Sequence, residues 1–317
     1  MPERNSLLAG VRRVLVVHAH PDDEVLAGGA LLRELHDRGV RVALVTCSRG
    51  EAGEIVDGVL PDRTSEAELA EVREREVRGS VEALGIAAQY WLGTPPAWAA
   101  SSVADAITGP DADAGEDADA IEGADAGTAI GADTGTKANA DANIHGHAGA
   151  GTSAYVRADA FAEATAFTDA RIYRDSGMQW VRPGVAGPAD SSDARSFTTA
   201  PLAEVVADLT AVVAVERPEV IVSYDDAGGY GHPDHLRARE AALAVARASG
   251  IRLAELIDDP NLPGVEWFTL PYQRAAVLEA LRSHRTQLTV DADGRQLTHS
   301  GGQRQRVETD IGLRIVT

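Results

Sequence analysis

Val14-Leu15-Val16-Val17-His18-Ala19-His20-Pro21-Asp22-Asp23-Glu24 is the stretch that decides the fold of this 317-residue chain. Its four leading apolar residues, mostly β-branched, predict a buried strand. Pro21 has no N–H to donate to a sheet, so the strand ends near His20. The next residues leave the sheet at its carboxyl edge, where open α/β sheets place their ligands.

The same stretch holds two imidazoles and three carboxylates within seven residues. This density of deprotonatable ligands on a fixed turn favours a divalent metal. The alternative is a helix N-terminus, where carboxylates meet the positive end of the dipole. That alternative accounts for Asp22, Asp23 and Glu24 but not for the histidines, so a metal site needs a second half elsewhere in the chain.

The first hundred residues alternate between apolar strands and helical patterns. The periodicity predicts a helix over 26–38, a strand over 40–46, a helix over 64–84 and a strand over 86–92. Ser65 and Glu68 form a capping box for the long helix, and Gly85 ends it. This β-α-β order predicts an α/β fold with a Rossmann-like, mostly parallel sheet flanked by helices.

The second half of the chain continues the alternation and adds a smaller C-terminal portion. Pro201 begins a helix that Pro218 closes, and a fully apolar strand follows over 220–224. The remaining pattern predicts a helix over 233–248, a strand over 266–270, a helix over 271–283 and an edge strand over 311–316.

Residues 101–170 interrupt this pattern with a sequence dominated by Ala, Gly, Asp and Thr. The segment carries 13 acidic and 2 basic residues, more than half of the formal net charge of −20. It holds too little apolar area to offset its ordering entropy, so we expect a disordered acidic insertion. Residues 1–100 and 171–317 are then expected to form a single domain.

The composition excludes several classes of protein. A formal charge of −20 argues against nucleic-acid binding, which needs a basic face. No apolar run approaches the roughly 20 residues of a membrane span, and the N-terminal residues lack the apolar core of a signal peptide. Cys47 is the single cysteine, which excludes an internal disulfide. We therefore expect a cytoplasmic protein, with no indication of its oligomeric state.

A second concentration of ligands, Asp225-Asp226-Ala227-Gly228-Gly229-Tyr230-Gly231-His232-Pro233-Asp234-His235, follows the strand over 220–224. Both clusters follow apolar strands, so their side chains are expected to meet at one edge of a parallel sheet. His20, Asp23 and His235 are the best trio for one catalytic zinc or ferrous ion with an open position. Spacing alone does not decide between Asp22 and Asp23 as the ligand.

The residues that remain beside this trio are expected to act in hydrolysis. Asp22 is then free to take a proton from water. Tyr230 and His232 are expected to face the same cavity as donors to a developing oxyanion. A metal-free pair of helix-capping histidines is the alternative, but the second His-Pro-Asp, which matches the first, argues against it.

The two motifs, His18-Ala19-His20-Pro21-Asp22-Asp23-Glu24 and Gly228-Gly229-Tyr230-Gly231-His232-Pro233-Asp234-His235, resemble the LmbE-like (PIG-L) family of zinc-dependent N-deacetylases. The similarity extends to Gly50-Glu51-Ala52-Gly53-Glu54, the helix around Arg73, and Arg174-Asp175-Ser176-Gly177-Met178. Within the family, the motifs are most similar to the deacetylases of mycothiol biosynthesis. The acidic insertion has no counterpart in the resemblance.

The resemblance implies a metal-dependent hydrolase in which activated water attacks the acetamide of N-acetylglucosaminyl-inositol, a small amino sugar. It implies one zinc ion, or ferrous iron, held by His20, Asp23 and His235, with Asp22 as general acid and base. Tyr230 and His232 correspond to the residues that stabilise the tetrahedral intermediate. Substrate contacts carry over to Arg73, Asp175 and Glu54. From the residues alone, Arg73 is predicted to be a solvent-exposed charged residue on a helix, and Asp175 an acidic residue in a loop.

Two other functions compete with this one. The related amidase that cleaves mycothiol S-conjugates shares the metal site, but it usually has proline where Gly231 stands here. A nucleotide-binding module would use the first β-α turn as a phosphate cradle. That turn lacks Gly-x-Gly-x-x-Gly and is strongly acidic, which is unfavourable for phosphate.

Overall fold

The computed structural model describes residues 6–99, 171–182, 185–189 and 193–316. The predicted insertion at 101–170 lies outside these residues, so its disorder and the domain boundaries derived from it stay predictions.

The described residues form a layered α/β structure, and its elements are numbered here in chain order. The strands are β1 (Arg13–His18), β2 (Arg41–Thr46), β3 (Ala88–Trp91), β4 (Met178–Arg182), β5 (Val185–Pro188), β6 (Val220–Ser223), β7 (Arg252–Ile257), β8 (Glu266–Thr269), β9 (Leu288–Val290), β10 (Gln296–His299), β11 (Arg304–Arg306) and β12 (Asp310–Ile315). The helices are α1 (Asp23–Leu26), α2 (Gly29–Asp37), α3 (Glu66–Leu84), α4 (Leu202–Glu216), α5 (Gly228–Gly231), α6 (Pro233–Ser249) and α7 (Arg274–Ser283), with a 3₁₀ turn at Pro271–Gln273.

A seven-stranded sheet in the order β3-β2-β1-β6-β7-β12-β8 forms the centre of the fold. The first five strands are parallel, whereas β12 pairs antiparallel with both β7 and β8. In the register of β1, Val16 lies between Leu44 of β2 and Val222 of β6. The predicted mostly parallel α/β sheet is confirmed.

The central strand β1 is apolar on both faces because helices cover both sides of the sheet. Val14 and Val16 pack into one core with residues of α2, α3 and α7. Leu15 and Val17 belong to a second core with residues of α4 and α6. The alternation of side chains along β1 therefore joins both layers to the strand that carries the first ligand motif.

Two predicted elements differ from the structure. The helix over 26–38 is broken, since α1 ends at Leu26 and α2 begins at Gly29 after a non-helical Gly28. This break gives the ligand-bearing turn its own short helix. The strand over 311–316 is not at the edge, because β12 inserts between β7 and β8. Apolar periodicity indicates a strand but not its neighbours, and only tertiary pairing placed this one inside the sheet.

Other boundaries follow the predictions closely. The capping box of Ser65 and Glu68 is present, and Gly85 ends α3 in the left-handed conformation with φ 72°. The smaller C-terminal portion consists of α7 and the antiparallel sheet β9-β10-β11, and β4 and β5 form a separate two-stranded ribbon. Among the described residues, no helix combines the length and apolar composition that crossing a bilayer requires.

Candidate metal centre and active site

The candidate site lies where the order of the sheet reverses direction. From β1 the chain proceeds to β2 and β3 on one side, and β6 pairs with β1 on the other side. The carboxyl ends of β1 and β6 flank this switch point, which is where open α/β sheets bind ligands. The turn after β1 carries His20 and Asp23, and α6 brings His235 to the same place. The two distant ligand motifs meet, as the sequence predicts.

Distances between side chains define the cluster. Nδ1 of His20 lies 3.5 Å from Oδ2 of Asp23, and Nε2 of His235 lies 3.4 Å from Oδ1 of the same carboxylate. The His20 and His235 ring centroids are 5.4 Å apart. All three predicted ligands therefore share one small volume.

His20 is oriented by acidic residues behind it. Its Nε2 lies 3.1 Å from Oδ2 of Asp234, which also accepts the backbone N–H of Ser176 at 3.0 Å. In the neutral form of the ring, which is the form that binds a metal, a proton on Nε2 satisfies Asp234 and leaves the Nδ1 lone pair beside Asp23. Burial lowers the pKa of His20, but Asp175, Asp23 and Asp234 outweigh burial and raise it well above its usual value.

One ring nitrogen of His235 faces the cluster without a hydrogen-bond partner among the described residues. Its Nδ1 lies 3.2 Å from the carbonyl oxygen of Gly228, so this nitrogen carries the proton that is donated to the carbonyl. Its buried Nε2 has no hydrogen-bond partner among the described residues. Burial is the main cause that lowers the pKa of His235, to about 4. A neutral imidazole with an unpartnered buried lone pair fits a metal ligand.

The cluster can hold a metal ion in more than one way. Two groups of side chains have ligand atoms that all lie within 4.8 Å of one another. The first consists of His20, His232 and His235, and the second of His20, Asp175 and Asp234. The predicted set differs from both groups, since it replaces His232 by Asp23, whose Oδ2 lies beside His20 and whose Oδ1 lies beside His235. Each set consists of imidazole nitrogen, with or without carboxylate oxygen, and none includes a thiolate. Such donors suit zinc or ferrous iron.

Asp22 lines the cavity beside this cluster in a strained backbone conformation. Its φ is 94°, in the left-handed region that few residues other than glycine occupy. The backbone N–H of Asp22 donates to Oε2 of Glu24 at 3.1 Å, which stabilises the turn. Burial first, and the charge of Asp23 second, raise the pKa of Asp22 to about 8.

Glu24 supports the turn instead of facing the cavity. Its carboxylate is fully buried, lies 2.6 Å from Nε2 of His284, and accepts a short hydrogen bond from the hydroxyl of Ser80. His284 is 260 residues away in sequence. The sequence does not indicate this partner, because nothing near His284 resembles a ligand motif.

His232 caps a helix and also faces the cavity. Its Nδ1 accepts the backbone N–H of Asp234 at 3.1 Å, as an N-cap of α6. The capping interpretation is thus correct for this residue, but the cap uses only one nitrogen. Burial, followed by the charge of His20, lowers the pKa of His232 to about 2, so Nε2 carries the proton of a neutral imidazole and can donate it to a hydrogen bond. The ring of Tyr230 lies 5.9 Å from that of His232 and is 44% exposed.

The expected substrate contacts line one cavity of about 1050 Å³ together with the cluster. Arg73 is 3% exposed, so a solvated helix charge is a wrong description of it, whereas Asp175 does lie in a loop but is only 7% exposed. Arg73 donates to the carbonyl oxygens of Gly50 and Glu54. The loop after β2 folds over the guanidinium and buries it, which helical periodicity does not indicate. The Glu54 side chain is exposed at this loop.

The fold and the cluster define an α/β protein with a group of histidines and carboxylates that could hold a metal ion at the switch point of its sheet. The chain belongs to the PIG-L family, described as GlcNAc-PI de-N-acetylase, whose sequence profile matches residues 15–246. The resemblance to this family in its motifs is therefore confirmed.

Several curated relatives of the chain are named 1D-myo-inositol 2-acetamido-2-deoxy-alpha-D-glucopyranoside deacetylase. The protein from Kineococcus radiotolerans is 33% identical over 76% of this chain and 47% of its own length. The protein from Actinosynnema mirum is 28% identical over 89% of this chain and 83% of its own length. The chain thus spans about half the length of the first of these relatives.

Among solved structures, the chain is similar to N,N'-diacetylchitobiose deacetylase from Pyrococcus horikoshii. The two are 18% identical with a TM-score of 0.49, over 90% of this chain and 73% of the other.

Proposed function

We propose that this protein is a metal-dependent hydrolase that removes the acetyl group from N-acetylglucosaminyl-inositol, the deacetylation step of mycothiol biosynthesis. One observation carries the proposal: the bare, buried Nε2 of His235 lies 3.4 Å from Asp23, which in turn contacts His20, at the wall of a large cavity. The names of the curated relatives supply the substrate. The single, buried Cys47 accords with the reducing cytoplasm as its compartment.

The proposed metal ligands are His20, Asp23 and His235, and the proposed ion is zinc, with ferrous iron as the alternative. Asp23 is favoured over His232 because it contacts both other ligands, and because His232 already uses one nitrogen as a helix cap. When bound, the ion supplies Lewis acidity to the amide carbonyl and lowers the pKa of water.

Asp22 is the proposed general base and acid. Its raised pKa of about 8 makes the carboxylate a stronger base than an exposed aspartate. It accepts a proton from the attacking water and delivers that proton to the nitrogen as the C–N bond breaks, so that the free amine and acetic acid, which ionises to acetate, leave. The strained backbone at this residue holds its side chain on the turn between strand and helix, and such strain is typical of active sites.

Tyr230 and His232 are the proposed donors to the carbonyl oxygen as negative charge develops on it. Nε2 of His232 bears a proton in the neutral form, since its Nδ1 accepts the helix N–H. Because the pKa of His232 is far below 7, its ring stays neutral, and the proton on Nε2 remains available to donate to an oxyanion.

The cavity suits a substrate larger than a single sugar, since pockets of roughly 300–1,000 Å³ enclose drug-sized ligands. Arg73, Asp175 and Glu54 are the proposed contacts to its hydroxyl groups. Met178 and the 45% exposed Trp180 of β4 add an apolar wall to the same cavity. Polar groups on one wall and an aromatic ring on another fit a sugar, whose ring has hydroxyl edges and C–H faces.

Acetate release tests this proposal. The purified protein is stripped with a chelator, reloaded with zinc or ferrous iron, and assayed on N-acetylglucosaminyl-inositol and, in parallel, on a mycothiol S-conjugate. We expect acetate from the first substrate, dependence on the added ion, and little cleavage of the second. Preferential cleavage of the conjugate would identify the related amidase, and activity unaffected by chelation would reject a metal-dependent hydrolase.

A further inference from the structure

Tyr224 lies directly after β6 and contacts two of the proposed ligands at once. The residue is 4% exposed, its hydroxyl donates to Oδ2 of Asp23 at 2.6 Å, and its ring stacks on that of His235. The apolar pattern predicts Tyr224 only as the last residue of a strand. The hydrogen bond joins residues 201 positions apart in the chain.

The direction of this hydrogen bond is fixed by a third group. The oxygen of Tyr224 accepts the backbone N–H of Ala19 at 2.7 Å. The hydroxyl proton of Tyr224 is therefore donated to Asp23, whose ionised carboxylate accepts it. Ala19 belongs to the turn after β1, so the hydroxyl connects this turn to the end of β6 inside the protein.

The hydroxyl determines which oxygen of Asp23 is available. Oδ2 receives both the Tyr224 hydroxyl and the backbone N–H of His20, at 2.6 and 2.8 Å. Oδ1 is left on the side of His235, 3.4 Å from Nε2. A carboxylate held in this way offers one oxygen atom to an ion, in a fixed direction, and cannot rotate without breaking two hydrogen bonds.

The ring of Tyr224 determines the plane of the second ligand. Its centroid lies 4.1 Å from that of His235 with an interplanar angle of 5°. The hydrogen bond from Nδ1 to Gly228 fixes rotation of the imidazole within that plane. Together these contacts aim the unpartnered Nε2 at Asp23.

We propose that Tyr224 is a positioning residue of the metal site, whose hydroxyl orients Asp23 and whose ring orients His235. This inference rests on the proposed metal-dependent function. Partners that orient metal ligands typically contribute about 10- to 100-fold to metal affinity. Removal of the hydroxyl alone is expected to weaken the metal site within that range, and removal of the ring as well is expected to weaken it further.

Two substitutions separate the hydroxyl from the ring. Tyr224→Phe removes only the hydroxyl, whereas Tyr224→Leu removes the ring too. Tyr173→Phe is the matched control, because the buried Tyr173 also donates to a buried carboxylate, that of Asp208, at 2.7 Å. Tyr173 packs in the same hydrophobic core as Tyr224 but, unlike Tyr224, does not line the cavity. The Tyr173→Phe variant shows how much stability is lost when such a hydrogen bond is removed away from the metal site.

The measurement is zinc affinity by competition with a chromophoric chelator, together with the visible spectrum of the cobalt(II) form. Circular dichroism of the metal-free variants checks that each is folded. We expect Tyr224→Phe to bind zinc at least about 10-fold more weakly and to alter the cobalt spectrum, with Tyr173→Phe unchanged in both. If Tyr224→Phe matches the wild type in affinity and spectrum, or if Tyr173→Phe loses as much affinity, the positioning role is rejected. If the wild type itself binds no stoichiometric metal, the proposed function fails instead.

Discussion

Nε2 of His235 lies 3.4 Å from Oδ1 of Asp23, although the two residues belong to turns about two hundred positions apart. The contact exists because β1 and β6 are neighbouring parallel strands whose carboxyl ends meet at the switch point. A neutral imidazole beside a carboxylate, with no hydrogen between them, leaves two lone pairs directed at the same volume. A cation removes that repulsion, which is the physical reason to expect metal here.

The first prediction separates metal binding from proton transfer. His235→Ala is expected to lose stoichiometric metal, because it removes a ligand. Asp22→Asn is expected to keep the metal and lower kcat by about 10²- to 10⁴-fold, since an amide cannot accept the proton. Asparagine tolerates the left-handed backbone at this position, whereas Asp22→Ala adds strain there. Metal content by atomic absorption and acetate release measure the two effects, and equal metal loss in both variants would contradict the assignment.

The second prediction concerns His232, which geometry also permits as a ligand. If His232 donates to the oxyanion, His232→Ala lowers kcat by roughly 10²- to 10³-fold and the metal is retained. If His232 is a metal ligand, the same substitution removes the metal from the site. Steady-state kinetics and metal analysis of the same preparation distinguish these outcomes. Metal loss in this variant with retention in Asp23→Asn would replace the proposed ligand set by His20, His232 and His235.

The two ligand motifs were predictable because each is contiguous and follows a strand that the apolar pattern marks. Their meeting needed only the rule that parallel strands end at one edge. The strength of this inference came from two segments, around His20 and His235, that both follow an apolar strand and both contain a His-Pro-Asp sequence.

Residues that hold the motifs in place were not predictable, because they come from elsewhere and carry no local pattern. Arg73 sits on a helix where charge indicates solvent, yet a loop folds over it and buries it. Tyr224 and His284 gain their roles only through tertiary contacts with Asp23 and Glu24. Periodicity describes which face of an element is apolar, but not which distant polar group will reach that face.

The third prediction concerns the buried pair of Glu24 and His284, whose side chains are both fully buried. His284→Gln leaves Glu24 without its cationic partner. Removal of one partner of a buried ion pair costs about 3–5 kcal/mol of the free energy of unfolding. Urea denaturation of the metal-free protein measures the loss. A change below about 1 kcal/mol, typical of exposed ion pairs, would show that the pair does not support the turn.

The same pair predicts a pH dependence. Burial lowers the pKa of His284, but Glu24 outweighs it and the net shift is upward from 6.5. A raised pKa in the folded state gives stability that is complete below pH 6.5 and is lost as the pH rises through the folded value. The stability difference between wild type and His284→Gln is therefore expected to be larger at pH 6 than at pH 9. A difference that stays constant or grows with pH would contradict a charged His284.

The fourth prediction concerns the acidic segment at 101–170. Deletion of residues 105–155 is expected to leave the fold intact, because the segment lacks apolar periodicity and contributes more than half of the net charge. Thermal unfolding of the full chain and the deletion variant measures the effect, with metal content as a check on the site. A large fall in Tm on deletion would show that the segment is part of the structure.

The fifth prediction concerns Trp180, whose exposed ring lies 5.8 Å from that of Tyr230 in the cavity wall. An indole ring presents a face that is electron-rich and apolar, so it is suited to pack against the C–H face of a second substrate ring. Trp180→Ala is expected to raise KM for N-acetylglucosaminyl-inositol about 10-fold, the worth of roughly 1.4 kcal/mol of contact, with kcat nearly unchanged because the chemistry is elsewhere.

Val181→Ala is the matched control for this substitution. Val181 is the next residue of β4, is 61% exposed, and packs over Gly187 of β5 instead of lining the cavity. N-acetylglucosamine, which has no second ring, serves as the control substrate. Trp180→Ala should change kcat/KM for the inositol-bearing substrate much more than for the single sugar, and Val181→Ala should change neither. An equal loss on both substrates would place Trp180 against the acetamido sugar itself, because only contacts to the second ring distinguish the two substrates.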